Sequence, residues 1–276
     1  MPDKTNTSTE PKSAVSLVEL TKKFGDFFAV DHISFEVAEG EIFGLIGPNG
    51  AGKSTAIKML TTLLPLTSGT ATVAGCDIVR QAGEVRRKIG YVPQLLSADG
   101  SLTGYENMLL SARLYGIPRQ QQAQRILDAL GIMGLADYAG HLVSRYSGGM
   151  IRRLEIALSM LHRPAVLFMD EPTSGLDPAA REAVWDHISE LRQRFHTTII
   201  VTSHYMEEVE ALCHRVALIA RGRIAAIGTP AELKSSIGPD ATLDDVFEAL
   251  VDASETETER SYGDVRRARR AARQHG

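Results

Sequence analysis

Residues 47–55 read Gly-Pro-Asn-Gly-Ala-Gly-Lys-Ser-Thr, which is a complete match to the phosphate-binding pattern G-x-x-x-x-G-K-[ST], the P-loop. The apolar run before it, residues 41–46, predicts a buried strand, and residues 55–63 after it have helical spacing without Pro or Gly. Glycines let a backbone close around phosphate, and the free N–H groups at a helix start favour an anion there. An ordinary glycine-rich turn is the weaker alternative, because the strand–loop–helix context is intact.

The last residues of this motif have separate predicted tasks. Lys53 is expected to reach the β- and γ-phosphates of a nucleotide, and Ser54 to offer its hydroxyl to Mg²⁺. The residues expected to surround the nucleotide here are Gly47, Pro48, Asn49, Gly50, Ala51, Gly52, Lys53, Ser54 and Thr55.

Length and composition restrict the possible classes. A chain of 276 residues with 43% hydrophobic and 23% charged residues is typical of a soluble globular protein of one large or two small domains. No apolar run approaches the roughly 20 residues that cross a bilayer, and the polar N-terminus lacks a secretory signal core. Cys76 and Cys213 lie far apart, which favours a reducing cytoplasm. The net charge of −4 argues against nucleic acid as a partner. Because no apolar run is long enough to cross a bilayer, a membrane role would need a partner protein.

The pattern along the chain alternates between strands and helices. Half-buried antiparallel strands are predicted first, and continuous apolar runs later predict strands buried on both faces. The predicted strands are 15–20, 33–37, 70–73, 89–92, 165–169, 197–202 and a hairpin of 216–219 with 223–227; short helices are predicted at 230–234 and 242–251.

Residues 95–162 are mostly helical in pattern, with breaks at 116–118 and 131–134, and predict a helical insertion carried on an α/β core. Within this segment Ser147 is a natural N-cap for a helix that Pro164 prevents from continuing. The Ser-Gly-Gly sequence at this helix start predicts a second anion site.

Two adjacent carboxylates follow the apolar run at 165–169. Asp170 and Glu171 therefore lie at the carboxyl end of a strand, where doubly wound sheets bind ligands. Their side chains are expected to point in different directions, one toward Mg²⁺ and one toward an attacking water. A pair of solvated acids is the alternative, which the neighbouring P-loop disfavours. Similarly, His204 follows the strand predicted at 197–202 and by itself would be a structural histidine.

Taken together, these features resemble the ATP-binding cassette (ABC) ATPases, the nucleotide-binding subunits of ABC transporters, over roughly residues 15–230. By pattern alone Phe24 is favoured as a core residue, whereas the resemblance implies that it stacks on adenine. The other matches are Gln94 at the hinge glutamine, Ser147-Gly148-Gly149 at the signature motif, Asp170 and Glu171 at the Walker B aspartate and catalytic glutamate, Ser174-Gly175-Leu176-Asp177 at the loop crossing the dimer interface, and His204 at the switch histidine.

The resemblance implies an α/β fold: a P-loop NTPase (RecA-like) core with an antiparallel β subdomain and a helical ABC-specific subdomain. It implies MgATP hydrolysis, with Lys53, Glu171 and His204 catalytic and with Ser54, Gln94 and Asp170 around Mg²⁺. It also implies ATP contacts in trans from Ser147, Gly148, Gly149 and Asp177, a head-to-tail pair of protomers, most simply a homodimer, and a separate polytopic membrane permease subunit. The expected location is the cytoplasmic face of the cell membrane, as a peripheral protein.

Two details refine the resemblance. Tyr146 and Met150 replace the Leu and Gln that commonly flank the family's signature, and with Arg152-Arg153-Leu154 they look like the daunorubicin/multidrug-resistance type of exporter ATPase. Residues 242–247 look like that group's C-terminal element. The expected divisions are a disordered 1–13, an ABC domain 14–232 with a helical subdomain at about 95–162, a helical extension 233–251 and a disordered charged tail 252–276.

Other functions stay open at this level. A soluble ABC ATPase acting on nucleic acid or ribosomes usually carries a long coiled coil, zinc modules or two cassettes, and none is visible here. A regulatory module that binds nucleotide without turnover is disfavoured by Glu171 and His204. The basic run at 266–270 could touch anionic lipid, although a solvated tail is the simpler interpretation.

Overall fold

The computed structural model describes residues 12–239 and 241–249. The strands are β1 (Ser13–Phe24), β2 (Phe27–Ala38), β3 (Ile42–Ile46), β4 (Ser68–Val73), β5 (Cys76–Asp77), β6 (Ile89–Val92), β7 (Val166–Asp170), β8 (Thr198–Ser203), β9 (Arg215–Ala220) and β10 (Arg223–Gly228). The helices are α1 (Lys53–Leu60), α2 (Ala82–Lys88), α3 (Gly104–Leu114), α4 (Arg119–Ile132), α5 (Gly148–Met160), α6 (Pro178–Phe195), α7 (Met206–Leu212), α8 (Pro230–Ser235) and α9 (243–249).

The ends of the chain are only partly covered by this description. A disordered segment was predicted for residues 1–13, but Ser13 is the first residue of β1. The rest of the predicted N-terminal segment up to residue 11, and the charged tail 252–276 with its proposed lipid contact, lie outside the described residues. Within 243–249, Leu243 and Val246 are buried and pack into the core that the helical region shares with the main sheet.

Two sheets carry the strands. One is antiparallel with the order β2-β1-β4-β5, and the other has the order β10-β9-β3-β8-β7-β6. In the second sheet β9, β3, β8, β7 and β6 are parallel, and only β10 is antiparallel to its neighbour. The predicted α/β class, antiparallel β region and late hairpin are therefore confirmed.

The parallel strands bring the sequence motifs to one edge of the sheet. β3, β7 and β8 are buried at every position, as expected for strands covered on both faces. Because they are parallel, their carboxyl ends coincide, and Asp170 of β7 pairs in register with Thr202 of β8. The P-loop, Glu171 and His204 follow β3, β7 and β8 and consequently meet at this edge.

The helical region lies between β6 and β7 in sequence. α3 ends at Leu114 and α4 begins at Arg119, so the predicted break at 116–118 is confirmed, and α4 ends at Ile132 within the second predicted break. Thr103 caps α3 through a reciprocal capping box with Glu106. Helices α3, α4 and α5 pack around fully buried apolar side chains, which include Met108, Ile126, Leu130 and Leu154.

The longest helix in the described ranges is α6, with 18 residues. It buries Val184, Ile188 and Leu191 on one face, which is the spacing of a helix packed against a core. No helix in 12–239 or 241–249 is both long and apolar enough to cross a membrane.

Candidate nucleotide-binding and catalytic site

The P-loop connects β3 to the first turn of α1, and its shape depends on two glycines. A Cβ on Gly47 would lie 2.1 Å from a carbonyl oxygen of β9, and a Cβ on Gly52 would lie 2.4 Å from a carbonyl oxygen of β2. Gly52 also has φ of 109°, which side chains rarely permit. The loop wraps around the ammonium of Lys53, which donates to the carbonyl oxygens of Gly47 (2.7 Å) and Pro48 (3.1 Å).

A cleft of about 470 Å³ opens over the loop. Its wall contains many of the predicted nucleotide-contacting residues and brings the aromatic, glutamine and glutamate positions together with the P-loop. The lining residues are Phe24, Phe27, Ala29, Asn49, Gly50, Ala51, Gly52, Lys53, Ser54, Thr55, Gln94 and Glu171. Gly47 and Pro48 are not part of this wall and contact the Lys53 side chain through their carbonyl oxygens instead.

The aromatic side of the cleft contains two rings. Phe24 is 50% exposed, so it is not the core residue that the local pattern favours. The ammonium of Lys22 lies 5.0 Å from the centre of its ring. Phe27, which was not singled out from the sequence, is 65% exposed and pairs in register with Phe24 across the β1–β2 turn. Its pairing with Phe24, which brings it to the cleft, is a feature of the folded hairpin that the sequence alone did not reveal.

The carboxylate of Asp170 lies beside the P-loop helix. Its Oδ1 accepts hydrogen bonds from the hydroxyls of Ser54 (2.9 Å) and Thr202 (2.6 Å), and the residue is 2% exposed. Hydroxyl and carboxylate oxygens are donors that suit Mg²⁺. The described residues contain no cluster of three or more His, Cys, Asp or Glu for a metal, so an ion at Asp170 would need further oxygens from phosphate and water, as Mg²⁺ does beside nucleotides.

Three predicted functional side chains converge on the carboxylate of Glu171. Its Oε1 is 3.4 Å from the ammonium of Lys53 and 3.4 Å from Nδ1 of His204, and its Oε2 accepts a hydrogen bond of 3.0 Å from Nε2 of Gln94. The His204 contact does not have hydrogen-bond geometry, and Nδ1 is buried without a hydrogen-bond partner among the described residues. As predicted from their adjacency, Asp170 and Glu171 point to different neighbours. The nitrogen of Gln94 is engaged by Glu171, so a metal contact from Gln94 would use its carbonyl oxygen.

The backbone at Glu171 is in the left-handed region, with φ of 48°. Such a conformation costs a non-glycine residue on the order of 1–3 kcal/mol and requires surrounding interactions to maintain it. Thr202 supplies them, because the N–H of Glu171 donates to its hydroxyl (2.9 Å) and its carbonyl oxygen (3.2 Å). The hydroxyl of Thr202 therefore joins Glu171 to Asp170. This role follows from the pairing of β7 with β8, which the sequence alone did not reveal.

Tyr91 shows the electrostatic character of this edge. Burial, together with the nearby Asp170 carboxylate, raises the pKa of Tyr91 to about 12. The shift reflects how strongly this buried edge, with the Asp170 carboxylate nearby, disfavours a further negative charge.

The predicted trans residues lie outside the cleft. Ser147 caps α5, its hydroxyl accepting from the N–H of Met150 at 3.3 Å, and Ser147 and Gly148 are exposed at the helix start. Gly149 is buried, and a Cβ there would lie 3.0 Å from the side chain of Ala180. Asp177 is exposed and caps α6. The structure therefore brings Phe24, the P-loop, Gln94, Asp170, Glu171 and His204 together and leaves this second group separate.

Comparison with known proteins identifies the family. The ABC transporter profile matches residues 30–174. The chain belongs to the ABC transporter family. The ATP-binding domains of this family hydrolyse ATP to power transport.

Individual ABC relatives are similar over most of the chain. A probable multidrug ABC transporter ATP-binding protein, YbhF of Escherichia coli (strain K12), is 42% identical over 247 residues, which are 88% of this chain and 42% of that protein. The daunorubicin/doxorubicin resistance ATP-binding protein DrrA of Streptomyces peucetius is 43% identical over 231 residues, 84% of this chain and 70% of DrrA. This chain thus spans less than half the length of the first relative. A solved ATP-binding subunit of an ABC transporter superposes with a TM-score of 0.77 at 27% identity, covering 87% of this chain and all of that one.

The atypical signature residue Tyr146 has a structural explanation in this ABC domain. It is 8% exposed, and its hydroxyl donates to the carbonyl oxygen of Tyr138 at 2.7 Å. A Cβ on Gly104 would lie 2.3 Å from that hydroxyl, so the glycine at the start of α3 makes room for the tyrosine. Burial raises the pKa of Tyr146 further above its ordinary value.

A buried ion pair joins the ABC signature helix to the Gln94 segment. Arg152 of α5 donates to the carbonyl oxygens of Pro93 (2.7 Å) and Gln94 (2.7 Å) and to Glu155 (3.1 Å). Glu155 accepts in turn from the backbone N–H and the hydroxyl of Ser97. Both charged side chains are nearly fully buried. This link was not predicted from the sequence, although charged residues three apart on an otherwise apolar helix are a usable signal.

Proposed function

We propose that this chain binds and hydrolyses MgATP to drive export of a small or lipophilic molecule, such as a drug, through a separate membrane subunit. The observation that carries the proposal is the convergence of Lys53, Gln94 and His204 on Glu171 beside the P-loop cleft. The printed names of YbhF and DrrA, which refer to multidrug transport and drug resistance, support the choice of cargo class.

Each side chain has a distinct task in this reaction. Lys53 binds the β- and γ-phosphates, while Ser54 and Asp170 hold Mg²⁺ directly or through water. A Mg²⁺ held there would supply positive charge to neutralise the charge that develops on the phosphates. A water that the carboxylate of Glu171 polarises attacks the γ-phosphate, and the carboxylate can accept its proton. The bond between the γ-phosphorus and the bridging oxygen of the β-phosphate breaks, and ADP leaves. His204, next to Glu171, orients the γ-phosphate and the water. The half-exposed ring of Phe24 stacks on the base.

The second group of residues acts on the partner protomer. Ser147 and the two glycines at the start of α5 present an exposed helix N-terminus, which is a suitable anion site but lies outside this chain's own cleft. A head-to-tail pair places this N-terminus against the γ-phosphate bound by the other P-loop. Asp177 then lies in the loop that crosses between protomers. If the partner is a second copy, the arrangement has twofold symmetry.

The membrane subunit is a separate chain that docks near residues 95–107. Leu95 is 82% and Leu96 is 52% exposed, and they follow directly after Gln94. Apolar side chains exposed at this level are suited to a protein partner. Gln94, which contacts Glu171 on one side and begins this segment on the other, couples the cleft to the permease. The chain then works as a peripheral protein on the cytoplasmic face of the membrane.

The dimer and the chemistry can be separated by two variants of the full chain. Glu171→Gln keeps the size of the side chain but cannot act as a carboxylate base, so it should bind MgATP and accumulate as an ATP-loaded dimer in size-exclusion chromatography. Lys53→Ala loses the phosphate contact and should remain monomeric. A Glu171→Gln protein that binds saturating MgATP yet stays monomeric, also after mixing with candidate partner cassettes, would contradict the proposal.

A further inference from the structure

Another buried carboxylate, that of Glu208, lies behind the proposed catalytic residues. Glu208 of α7 is 1% exposed and accepts three hydrogen bonds from different parts of the chain. The donors are the hydroxyl of Thr173 (2.9 Å), the hydroxyl of Ser203 (2.5 Å) and the indole N–H of Trp185 (3.2 Å). None of these contacts reaches the nucleotide cleft, so nothing in the proposed reaction accounts for them.

The three donors come from the segments that carry the catalytic side chains. Thr173 is two residues after Glu171, Ser203 immediately precedes His204, and Trp185 lies on α6. Glu208 therefore joins the loop after β7, the end of β8 and α6 through one side chain.

This arrangement is costly to build for packing alone. Burial raises the pKa of Glu208, whereas its three hydrogen bonds and the charge of Arg181 favour the ionised form. An apolar residue of similar volume would fill the same space without desolvating a carboxylate. What the carboxylate adds is the ability to hold three donors at once in a defined geometry.

A face of α6 extends the connection to the start of that helix. Asp177, Arg181 and Trp185 are spaced four residues apart and share this face. The guanidinium of Arg181 lies 4.3 Å from the ring centre of Tyr205, whose ring is 4.1 Å from that of His204. α6 therefore contacts the His204 loop through Arg181 and contacts Glu208 through Trp185.

We propose that Glu208 is a positioning residue, which fixes the Glu171 loop and the His204 loop against α6 so that both catalytic side chains follow movement of the 174–177 loop at the start of this helix. The inference deepens the proposed function and rests on it. Glu208 touches no substrate, so its removal should leave nucleotide affinity unchanged. It should slow the chemical step, because the segments that carry Glu171 and His204 lose their common attachment. The amide that Glu208→Gln introduces would bring a further donor into a site where three donors already converge.

The test compares Glu208→Gln with Glu210→Gln in the full chain, with MgATP and the non-hydrolysable probe AMP-PNP. Glu210 lies on the same helix, but its ion pair is with Lys234 (3.3 Å), remote from the catalytic loops. Glu208→Gln should lower kcat by about 10- to 100-fold with an unchanged Kd for AMP-PNP. Glu210→Gln should match the unmodified chain in both.

The chain's single tryptophan supplies an independent readout. Since the indole of Trp185 donates to Glu208, nucleotide binding should shift its fluorescence in the unmodified chain and in Glu210→Gln, but not in Glu208→Gln. Thr173→Val removes one of the three donors without changing the shape of the side chain, and it should also lower kcat. It provides a substitute test should Glu208→Gln fold poorly.

Three results would overturn the inference. One is an unmodified chain without ATP turnover, which removes the proposed function as well. Another is normal kcat in Glu208→Gln or Thr173→Val while the unmodified chain turns over, which removes the inference alone. The third is a parallel loss of kcat, AMP-PNP affinity and cooperative unfolding in both variants, which would assign Glu208 to stability.

Discussion

Thr202→Val is a minimal change at the sheet edge that carries Asp170 and Glu171, because it replaces one hydroxyl by a methyl group of nearly the same size. That hydroxyl donates to Asp170 at 2.6 Å and accepts from the N–H of Glu171 at 2.9 Å. Thr202 itself is fully buried. The substitution therefore cuts the link between the carboxylate of Asp170 and the backbone of Glu171 without creating a cavity.

The size of the effect follows from the partners that remain. A hydrogen bond to a charged acceptor contributes about 1.5–3 kcal/mol and a neutral one about 0.5–1.5 kcal/mol. Asp170 keeps the hydroxyl of Ser54 and the N–H of Glu171 keeps the carbonyl oxygen of Thr202, so neither group is left unpaired. A loss of roughly 2–3 kcal/mol in the free energy of unfolding is expected. Glu171, with φ of 48°, then loses part of its restraint, and kcat should fall by about 10²-fold.

Urea denaturation and single-turnover hydrolysis would measure the two quantities. Thr202→Ser retains the hydroxyl and should keep most of the rate. Thr197→Val is a matched control, because Thr197 is also buried but donates only to the carbonyl oxygen of Pro164 (3.3 Å) before β8 begins. It should lose stability and not kcat. A Thr202→Val protein that is folded and has the unmodified rate would refute the reasoning.

Three further changes test separate parts of the structure. Phe24→Ala should weaken nucleotide binding by about 1–3 kcal/mol in equilibrium dialysis, whereas Phe24→Tyr should preserve it and GTP should compete with ATP; equal affinity in the Ala variant would contradict stacking. Arg152→Met leaves Glu155 buried without its ion partner and should lower the free energy of unfolding by about 3–5 kcal/mol in urea, much of which Arg152→Met/Glu155→Leu should recover; an unchanged single variant would show that the pair is not important for stability. Burial lowers the pKa of His162 despite its hydrogen bond to Ile89, so below about pH 6.5 the unfolded chain binds a proton that the folded chain does not. The free energy of unfolding should therefore decrease as the pH is lowered through that range, and it should decrease less steeply in His162→Gln. The same pH dependence in both proteins would contradict this expectation.

Much of the fold could be predicted because the sequence patterns around the P-loop and in the central strands match the elements that form there. Residues 47–55 need a strand before them and a helix after them to bind phosphate, and the chain supplies both as β3 and α1. The apolar runs of β7 and β8 predicted strands buried on both faces, which places Glu171 and His204 at one edge. Periodicity and end positions therefore carried these predictions.

The interactions that organise the site could not be predicted in the same way. Thr202 acts through its register with Asp170, and Phe27 through its pairing with Phe24, and register is a property of two strands together. Glu208 looks like an ordinary helix charge until packing shows that it is buried. A single sequence specifies the elements more clearly than the contacts between distant elements.

We propose that Glu171 serves as the carboxylate for ATP hydrolysis in this chain. The most direct test mixes excess chain with trace radiolabelled ATP and Mg²⁺ and follows the conversion of bound ATP to ADP and phosphate. The unmodified chain should convert its bound ATP, whereas Glu171→Gln should retain intact ATP and react at least about 10²-fold more slowly. Equal rates for the two proteins, or no conversion by the unmodified chain, would contradict the account.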